Sequence, residues 1–218
     1  MKKFLSLLLI LVYISFSLNV QAKEPDEEKV GTIYIGDSRT VQMNDIIHMD
    51  ELPDTFVVAK SGMGYNWYMK TGSEEVYNIR EKYKDNYDRW IYIFNLGVND
   101  LSNIDNYINL MEELSKEATL YYVSINPTVD AVKGIQCADI EEFNKKIRPH
   151  TNNSNINYID SYDYLYKVSG YNAPKDGMHY DTKTYEKLYE FINLAVEVQE
   201  FIKKNNSYSA AFYLYNYK

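Results

Sequence analysis

The sequence predicts an α/β protein in which a central, mostly parallel five-stranded sheet lies between two layers of helices. Two observations support this prediction. Five short stretches are rich in β-branched or aromatic residues, and several are almost continuously apolar, as expected for strands that are buried on both faces. Segments with helical spacing of apolar residues separate them. This alternation favours right-handed crossovers and a three-layer α/β/α sandwich.

The N-terminal segment, residues 1–22, has the layout of a secretory signal peptide. Lys2 and Lys3 precede an apolar run, and the segment ends in the small-residue pattern Val20-Gln21-Ala22. The apolar run is slightly shorter than the roughly 20 residues of a membrane-spanning helix. A cleaved signal is therefore favoured, with an uncleaved membrane anchor as the alternative. Both predict a protein that is secreted or held at the extracellular face of the cell membrane.

The rest of the chain is interpreted as one domain with an extension at each end. Residues 23–29 are charged and contain proline, which indicates an exposed lead-in. Residues 30–206 carry the strand and helix patterns. Residues 207–218 form a tyrosine-rich tail, for which an edge strand, an interaction patch and a disordered end are all open interpretations.

The predicted elements follow one another along the domain. The capping pair Ser102 and Asp105 opens a helix between the third and fourth strands. A second helix is expected from about Asp139 to about Pro149, and the last long helix carries an apolar stripe over residues 185–196. The predicted strands are Thr32–Ile35, Phe56–Ala59, Trp90–Leu96, Thr119–Ile125 and Ile156–Ile159.

Composition argues against several classes of function. The net charge is −8, and residues 1–22 contribute two lysines and no acid, so the remainder is more acidic still. No basic run follows Lys3, which makes nucleic acid a poor partner. The sequence has no HExxH pattern, Cys/His cluster, phosphate loop or dinucleotide fingerprint, so neither a metal nor a nucleotide cofactor is expected.

Two residue types carry structural expectations of their own. Cys137 is the only cysteine and cannot form an internal disulfide. A small buried side chain is favoured there over a reactive thiol. The 23 tyrosines are expected to be mostly half-buried, with their hydroxyl groups in water.

Small and polar residues follow the first three predicted strands, at the edge where parallel α/β sheets place their functional loops. Gly36-Asp37-Ser38-Arg39 follows the first strand, Lys60–Gly64 the second and Leu96–Asp100 the third. Ser38 would begin a helix, with its hydroxyl among unpaired backbone N–H groups. Taken singly, each stretch also fits an ordinary turn or helix cap.

A serine nucleophile needs a base, and imidazole is the usual one. The chain has three histidines. His48 lies along the helical stretch after Ser38, and His150 lies in a polar loop before the last strand. Only His179 is expected at the carboxyl edge of the sheet, with Asp176 three residues earlier as a carboxylate that could orient its ring.

Four of these stretches occur in the order of the signature blocks of the SGNH hydrolases, also called GDSL esterases and lipases. The chain resembles this family over GDSR (36–39), SGMG (61–64), GVND (97–100) and DGMH (176–179). The resemblance implies a flavodoxin-like fold, with Ser38 as nucleophile, His179 as general base and Asp176 as its orienting partner. It further implies an oxyanion hole made of the Ser38 and Gly62 backbone N–H groups and the Asn99 side chain.

Two positions depart from the family pattern. Arg39 stands where the nominal GDSL motif has leucine, which points to a narrower subgroup. Tyr180 follows His179 where an aliphatic residue is more usual, and it is expected to alter the wall of the cleft.

The resemblance implies a serine esterase that works through a covalent acyl-enzyme. Export indicates a substrate outside the cell, with an acetyl group on a carbohydrate as the leading expectation. Tyr65, Trp67 and Tyr180 are expected to contact this small-molecule or carbohydrate ester, although Tyr65 and Trp67 equally fit packing of a helix against the sheet. The alternatives are a lipid or lysophospholipid esterase, an acyltransferase that uses the same triad, and a non-catalytic cell-surface binding module.

Overall fold

The central sheet has five parallel strands in the order β2-β1-β3-β4-β5. The computed structural model describes residues 28–129, 133–151, 155–168 and 176–205. This strand order is that of flavodoxin-like sheets, so the predicted fold class is confirmed. All five predicted strands are present, with bounds that differ by at most two residues. They are β1 (Val30–Gly36), β2 (Thr55–Ala59), β3 (Arg89–Asn95), β4 (Thr119–Val123) and β5 (Ile156–Ile159).

Five longer helices connect or follow the strands. They are α1 (Ser38–Ile47), α2 (Ser73–Lys82), α3 (Ile104–Leu114), α4 (Cys137–Ile147) and α5 (Thr182–Asn205). Short helical turns complete the connections in the described part of the chain. Two of them, Tyr65–Trp67 and Ser161–Asp163, continue into the π turns Tyr68–Gly72 and Tyr164–Val168.

The sheet separates two hydrophobic cores because successive strand residues point to opposite faces. In β3, Tyr92 and Phe94 pack in the core that also holds apolar side chains of α2, α3 and α4. Ile91 and Ile93 pack in the other core, together with Met43 of α1 and apolar side chains of α5. Each strand is thus covered on both faces, which explains its nearly continuous hydrophobicity.

Several tyrosines lie in these cores, and for them the expectation of half-buried rings with hydrated hydroxyl groups is wrong. Two of their hydroxyl groups have partners inside the protein: the Tyr107 hydroxyl donates to Asp100 Oδ1 at 2.6 Å, and the Tyr122 hydroxyl donates to the Leu96 carbonyl at 3.2 Å. Desolvation raises the pKa of Tyr92 to about 12. The fully buried members of the group are Tyr68, Tyr92, Tyr107, Tyr121, Tyr122 and Tyr185.

Two of the predicted helix starts need correction. Ser102 and Asp105 do not form a capping box, because Leu101–Asn103 is a 3₁₀ turn and α3 begins without a side-chain cap. A capping box is found instead at α4, where Asp139 accepts a hydrogen bond from the Gln136 backbone N–H at 3.2 Å. Helix α4 begins at Cys137, two residues before the predicted start at Asp139. The Cys137 side chain is half-buried, whereas a fully buried side chain was expected.

Asn144 of α4 fastens the chain where it leaves β4. Its Oδ1 accepts from the Ile125 N–H, and its Nδ2 donates to the Ile125 carbonyl, both at 2.9 Å. Only 7% of Asn144 is exposed. One side chain thus supplies both hydrogen bonds that a buried backbone unit needs once it has left the sheet.

The ends of the chain carry predictions that the structure does not reach. The predicted signal peptide at 1–22, most of the lead-in at 23–29 and the tail at 207–218 lie outside the described residues. Within the described ranges, none of the helices combines the length and the apolar composition that a membrane span requires.

Replacing Asn144 with alanine is expected to destabilise the protein. Asn144→Ala leaves both backbone groups of Ile125 buried without a partner, which should lower the free energy of unfolding by about 2–4 kcal/mol. Denaturant-induced unfolding measures this change. Asn106→Ala is the matched control, because it removes an exposed amide that donates to Asn103, and its effect should stay within about 0.5 kcal/mol. Equal effects of the two substitutions would contradict the role given to Asn144.

Candidate active site

Ser38 lies at the N-terminus of α1, directly after β1 ends. Asp37 is the N-cap residue of this helix, and its Oδ1 accepts the Arg39 backbone N–H at 3.0 Å. The Ser38 hydroxyl therefore sits at the positive end of the helix dipole. Its oxygen lies 2.8 Å from His179 Nε2, although 141 positions separate the two residues in the sequence.

The other ring nitrogen of His179 faces Asp176. Nδ1 and Asp176 Oδ2 lie 2.5 Å apart, and the second carboxylate oxygen accepts the backbone N–H groups of Met178 and His179 at 2.9 and 2.7 Å. Partial desolvation raises the pKa of Asp176, but the hydrogen bonds from His179 and Met178 outweigh it and hold that pKa well below its ordinary value. An ionised Asp176 fixes the proton on Nδ1 and leaves Nε2 as an acceptor toward Ser38.

The structure thus brings together three side chains that the sequence identifies as candidates. The remaining histidines are placed differently: His48 is exposed at the far end of α1, and His150 is exposed in the 3₁₀ turn after α4. In the part of the chain that the structure describes, no three His, Cys, Asp or Glu side chains are grouped closely enough to hold a metal ion.

Arg39, which stands where the GDSL motif has leucine, forms a buried ion pair with Asp37. Its guanidinium donates to both oxygens of Asp37, from Nε at 2.9 Å and from Nη2 at 2.7 Å. Both side chains are almost fully buried, at 2% and 0% exposure. Desolvation lowers the pKa of Arg39, but the attraction of Asp37 overrides it and the net direction is upward, so Arg39 stays charged. The signal for this pair in the sequence was an arginine two positions after an aspartate, with a buried strand just before them.

Gly36 is required by the close approach of β1 and α1. A Cβ at this position would fall 1.9 Å from Thr40 Oγ1 and 2.5 Å from Thr40 Cβ. Thr40 cannot easily give way, because it is buried and its hydroxyl accepts a hydrogen bond from Asn95 Nδ2 at 3.2 Å. The turn that carries Ser38 is therefore packed tightly against Thr40.

The loops after β2 and β3 are joined to each other. Asn99 Nδ2 donates to the Met63 carbonyl at 2.8 Å. Asp100 Oδ2 accepts the Tyr65 N–H at 2.8 Å. Gly62 has a φ of +74°, in the left-handed region, and a Cβ built on it would meet nothing within 4 Å. Gly62 and Asn99 thus lie in adjoining loops at the carboxyl edge of the sheet.

The three aromatic residues expected at the substrate are mostly engaged in packing. Trp67 is only 9% exposed and belongs to the core, so the structure favours the packing interpretation for it. The Tyr65 ring packs edge-on against Tyr107, with 5.7 Å between centroids. Tyr180 is 7% exposed, and its hydroxyl donates to the Pro127 carbonyl.

A surface cavity of about 430 Å³ opens beside His179. It gives a small molecule access to the neighbourhood of the imidazole. Its lining consists of Ile46, Asp176, His179, Tyr180, Asp181 and Thr182. A larger cavity of about 580 Å³ lies around the start of β3, at the opposite end of the strands, and has no contact with these residues.

The fold is similar to that of solved structures described as GDSL or SGNH proteins. Among solved structures, the chain is similar to a GDSL-like lipase from Bacteroides thetaiotaomicron, with 18% identity, a TM-score of 0.62, and coverage of 79% of this chain and 90% of that one. It is also similar to the C-terminal catalytic domain of peptidoglycan O-acetyltransferase A from Streptococcus pneumoniae, with 20% identity, a TM-score of 0.57, and coverage of 79% and 96%.

A third similar structure is an acetylxylan esterase from Geobacillus stearothermophilus, with 13% identity, a TM-score of 0.54, and coverage of 75% of this chain and 92% of that one. No protein-family model and no curated protein matches the sequence. At these identities the likeness establishes the fold, and the resemblance drawn from the four sequence blocks is confirmed at that level.

Breaking the buried ion pair is expected to destabilise the fold strongly. Arg39→Leu restores the residue of the nominal motif but leaves Asp37 buried without its cation, which should cost about 3–5 kcal/mol of unfolding free energy. Lys146→Leu is the control, since it breaks an exposed pair with Glu142 that should contribute less than about 1 kcal/mol. Chemical denaturation compares the two variants with wild type. A leucine variant as stable as wild type would contradict a structural role for the pair.

Proposed function

We propose that the protein is a serine esterase that acts outside the cell and removes an acyl group, with acetyl on a carbohydrate as the favoured substrate. The observation that carries this proposal is the continuous hydrogen-bonded arrangement of Ser38, His179 and Asp176 at the N-terminus of α1. A nucleophile, a base within reach of it and a carboxylate that orients the base are the parts needed for nucleophilic acyl transfer.

In the proposed mechanism, Ser38 Oγ attacks the ester carbonyl carbon while His179 Nε2 takes the hydroxyl proton. Asp176 stabilises the imidazolium that results. The tetrahedral intermediate collapses, the C–O bond to the alcohol breaks, and the alcohol leaves with the proton held by His179. Water then attacks the acyl-enzyme with His179 again as base, which releases the carboxylic acid and restores Ser38.

The negative charge on the carbonyl oxygen needs donors that are already in place. The Ser38 backbone N–H lies in the first turn of α1, where helix N–H groups have no intrahelical partner. The primary amide of Asn99 has two N–H groups, and one of them is used on the Met63 carbonyl. We propose that this bond orients the amide so that its second N–H, together with the Gly62 N–H, completes the oxyanion hole.

The substrate proposal draws on the cavity and on the similar structures. Two carboxylates and no cation are found among the described residues that line the cavity beside His179. This charge disfavours an anionic lipid headgroup and suits a neutral sugar ester. Two of the similar proteins are by name an acetylxylan esterase and a peptidoglycan O-acetyltransferase, which supports acetyl as the transferred group. The extracellular location rests on the signal-like residues 1–22.

Acyl transfer to a sugar hydroxyl is the second candidate, favoured by the similarity to the catalytic domain of the O-acetyltransferase. The same residues would serve, since only the acceptor that attacks the acyl-enzyme changes. A sugar acceptor added to a hydrolysis assay separates the two activities: acetylated sugar as the main product indicates a transferase, and free acetate indicates an esterase.

Ser38→Ala is expected to abolish hydrolysis of 4-nitrophenyl acetate, because it removes the hydroxyl that contacts His179 Nε2 and would form the acyl-enzyme. The circular dichroism spectrum should stay unchanged, since the small hydroxyl is replaced without loss of packing. Release of 4-nitrophenol measures activity, and Ser102→Ala, at an exposed serine, should match wild type. Wild-type turnover by the Ser38 variant would refute the assignment of the nucleophile.

Asn99→Ala is expected to lower kcat by about 10²–10³-fold, the usual effect of removing one oxyanion donor. KM should change little, because the charge that this amide stabilises exists only in the transition state. Steady-state kinetics on 4-nitrophenyl acetate separate the two parameters, and the exposed Asn106→Ala should leave both unchanged. A rise in KM at unchanged kcat would show that Asn99 binds the ester in its ground state instead.

A further inference from the structure

The loop that carries Asp176 and His179 is tied to the chain that leaves β4. The Gly177 carbonyl accepts the Val129 N–H at 2.8 Å. The Tyr180 hydroxyl donates to the Pro127 carbonyl. Gly177 and Tyr180 flank His179 in the sequence, so both sides of the histidine are bonded to segment 124–129. This segment is called the strap below, and residues 176–180 are called the catalytic loop.

The strap is itself held firmly, which makes the Pro127 carbonyl a fixed acceptor. Ile125 is clamped by Asn144. The Thr128 carbonyl accepts the Cys137 thiol at 3.0 Å. The Ser161 hydroxyl reaches Asn126 Oδ1 at 2.6 Å. Because these groups lie on either side of Pro127, its carbonyl cannot follow a movement of the catalytic loop.

The ring of Tyr180 is fixed as well as its hydroxyl. The residue is 7% exposed, and its ring meets Tyr185 at the start of α5 edge-on, with 5.7 Å between centroids. A tyrosine held at both ends immobilises its own backbone, and that backbone is bonded directly to His179. The aliphatic residue usual at this position in the resembled family has no hydroxyl with which to make the bond.

Asp176 cannot supply this constraint. Among the residues that the structure describes, its carboxylate bonds to Met178 and His179 of its own loop, and its side chain is 56% exposed. It therefore sets the orientation of the ring within the loop, but not the position of the loop relative to Ser38. The 2.8 Å separation between Ser38 Oγ and His179 Nε2 has to be maintained by contacts to other parts of the protein.

We propose that Tyr180 is a positioning residue that holds the His179 imidazole against Ser38 through its bond to the strap. The inference rests on the proposed function for its kinetic consequence. A displaced base slows proton transfer from Ser38 without changing ground-state contacts with the ester, so the expected signature is a fall in kcat at constant KM.

The test compares Tyr180→Phe with Tyr121→Phe. Both remove one buried hydroxyl that bonds within the protein, but the Tyr121 hydroxyl donates to Glu200 near the end of α5, away from the catalytic loop. With 4-nitrophenyl acetate, Tyr180→Phe should lower kcat by about 10–100-fold and leave KM within about 2-fold. Tyr121→Phe should keep both constants while losing comparable thermal stability.

A spectroscopic readout keeps the inference separate from the proposed function. The short bond between His179 Nδ1 and Asp176 should give a downfield imidazole proton resonance in the NMR spectrum, absent in Asp176→Asn. Tyr180→Phe should shift or broaden this resonance, and Tyr121→Phe should leave it in place. If wild type proves inactive on esters but the resonance responds in this way, the positioning role stands and the proposed function fails. Unchanged kcat and an unchanged resonance in a folded Tyr180→Phe would overturn the positioning role.

Discussion

The buried ion pair between Asp37 and Arg39 is the constraint on which the site depends. Two charges can be buried together only if they satisfy each other, and a bidentate guanidinium does so in one geometry. Asp37 also caps α1, so the pair fixes the end of β1 and the start of the helix together. Ser38 lies between these two residues in the sequence, so the ion pair also fixes the position of its backbone.

The parallel sheet supplies the remaining geometry. Its strands end at one edge, so loops that are far apart in sequence meet there. Asp100 joins the loops after β2 and β3 by accepting from Tyr65 of one and from Tyr107 of the helix that follows the other. The strap after β4 does the same for the loop that bears His179. The loops after β2 and β3, and the loop that bears His179, are therefore each bonded to a neighbouring segment of the chain.

The elements of this fold that the sequence could predict are those with a local signal. The strands are continuous apolar runs, and the four blocks predict that Ser38 and His179 lie at the carboxyl edge of the sheet. The rest depends on contacts between distant residues. Nothing local distinguishes Ser102 as a cap from Ser102 in a 3₁₀ turn, and nothing beside Tyr180 indicates that Pro127 would accept its hydroxyl. The burial of the tyrosines has no local signal in the sequence, because a phenol hydroxyl can be satisfied inside the protein, as those of Tyr107 and Tyr122 are, as well as by water.

A core so rich in phenols also sets a limit on the alkalinity that the fold tolerates. In the unfolded chain a tyrosine ionises near pH 10, whereas burial raises the pKa of Tyr92 to about 12. Burial also raises the pKa of Tyr107 and Tyr122 well above the ordinary value. Above pH 10 the unfolded chain therefore releases protons that the native protein retains, and each such residue shifts the balance toward unfolding as hydroxide increases. The same aromatic packing that stabilises the fold at neutral pH therefore lowers its stability in strong base.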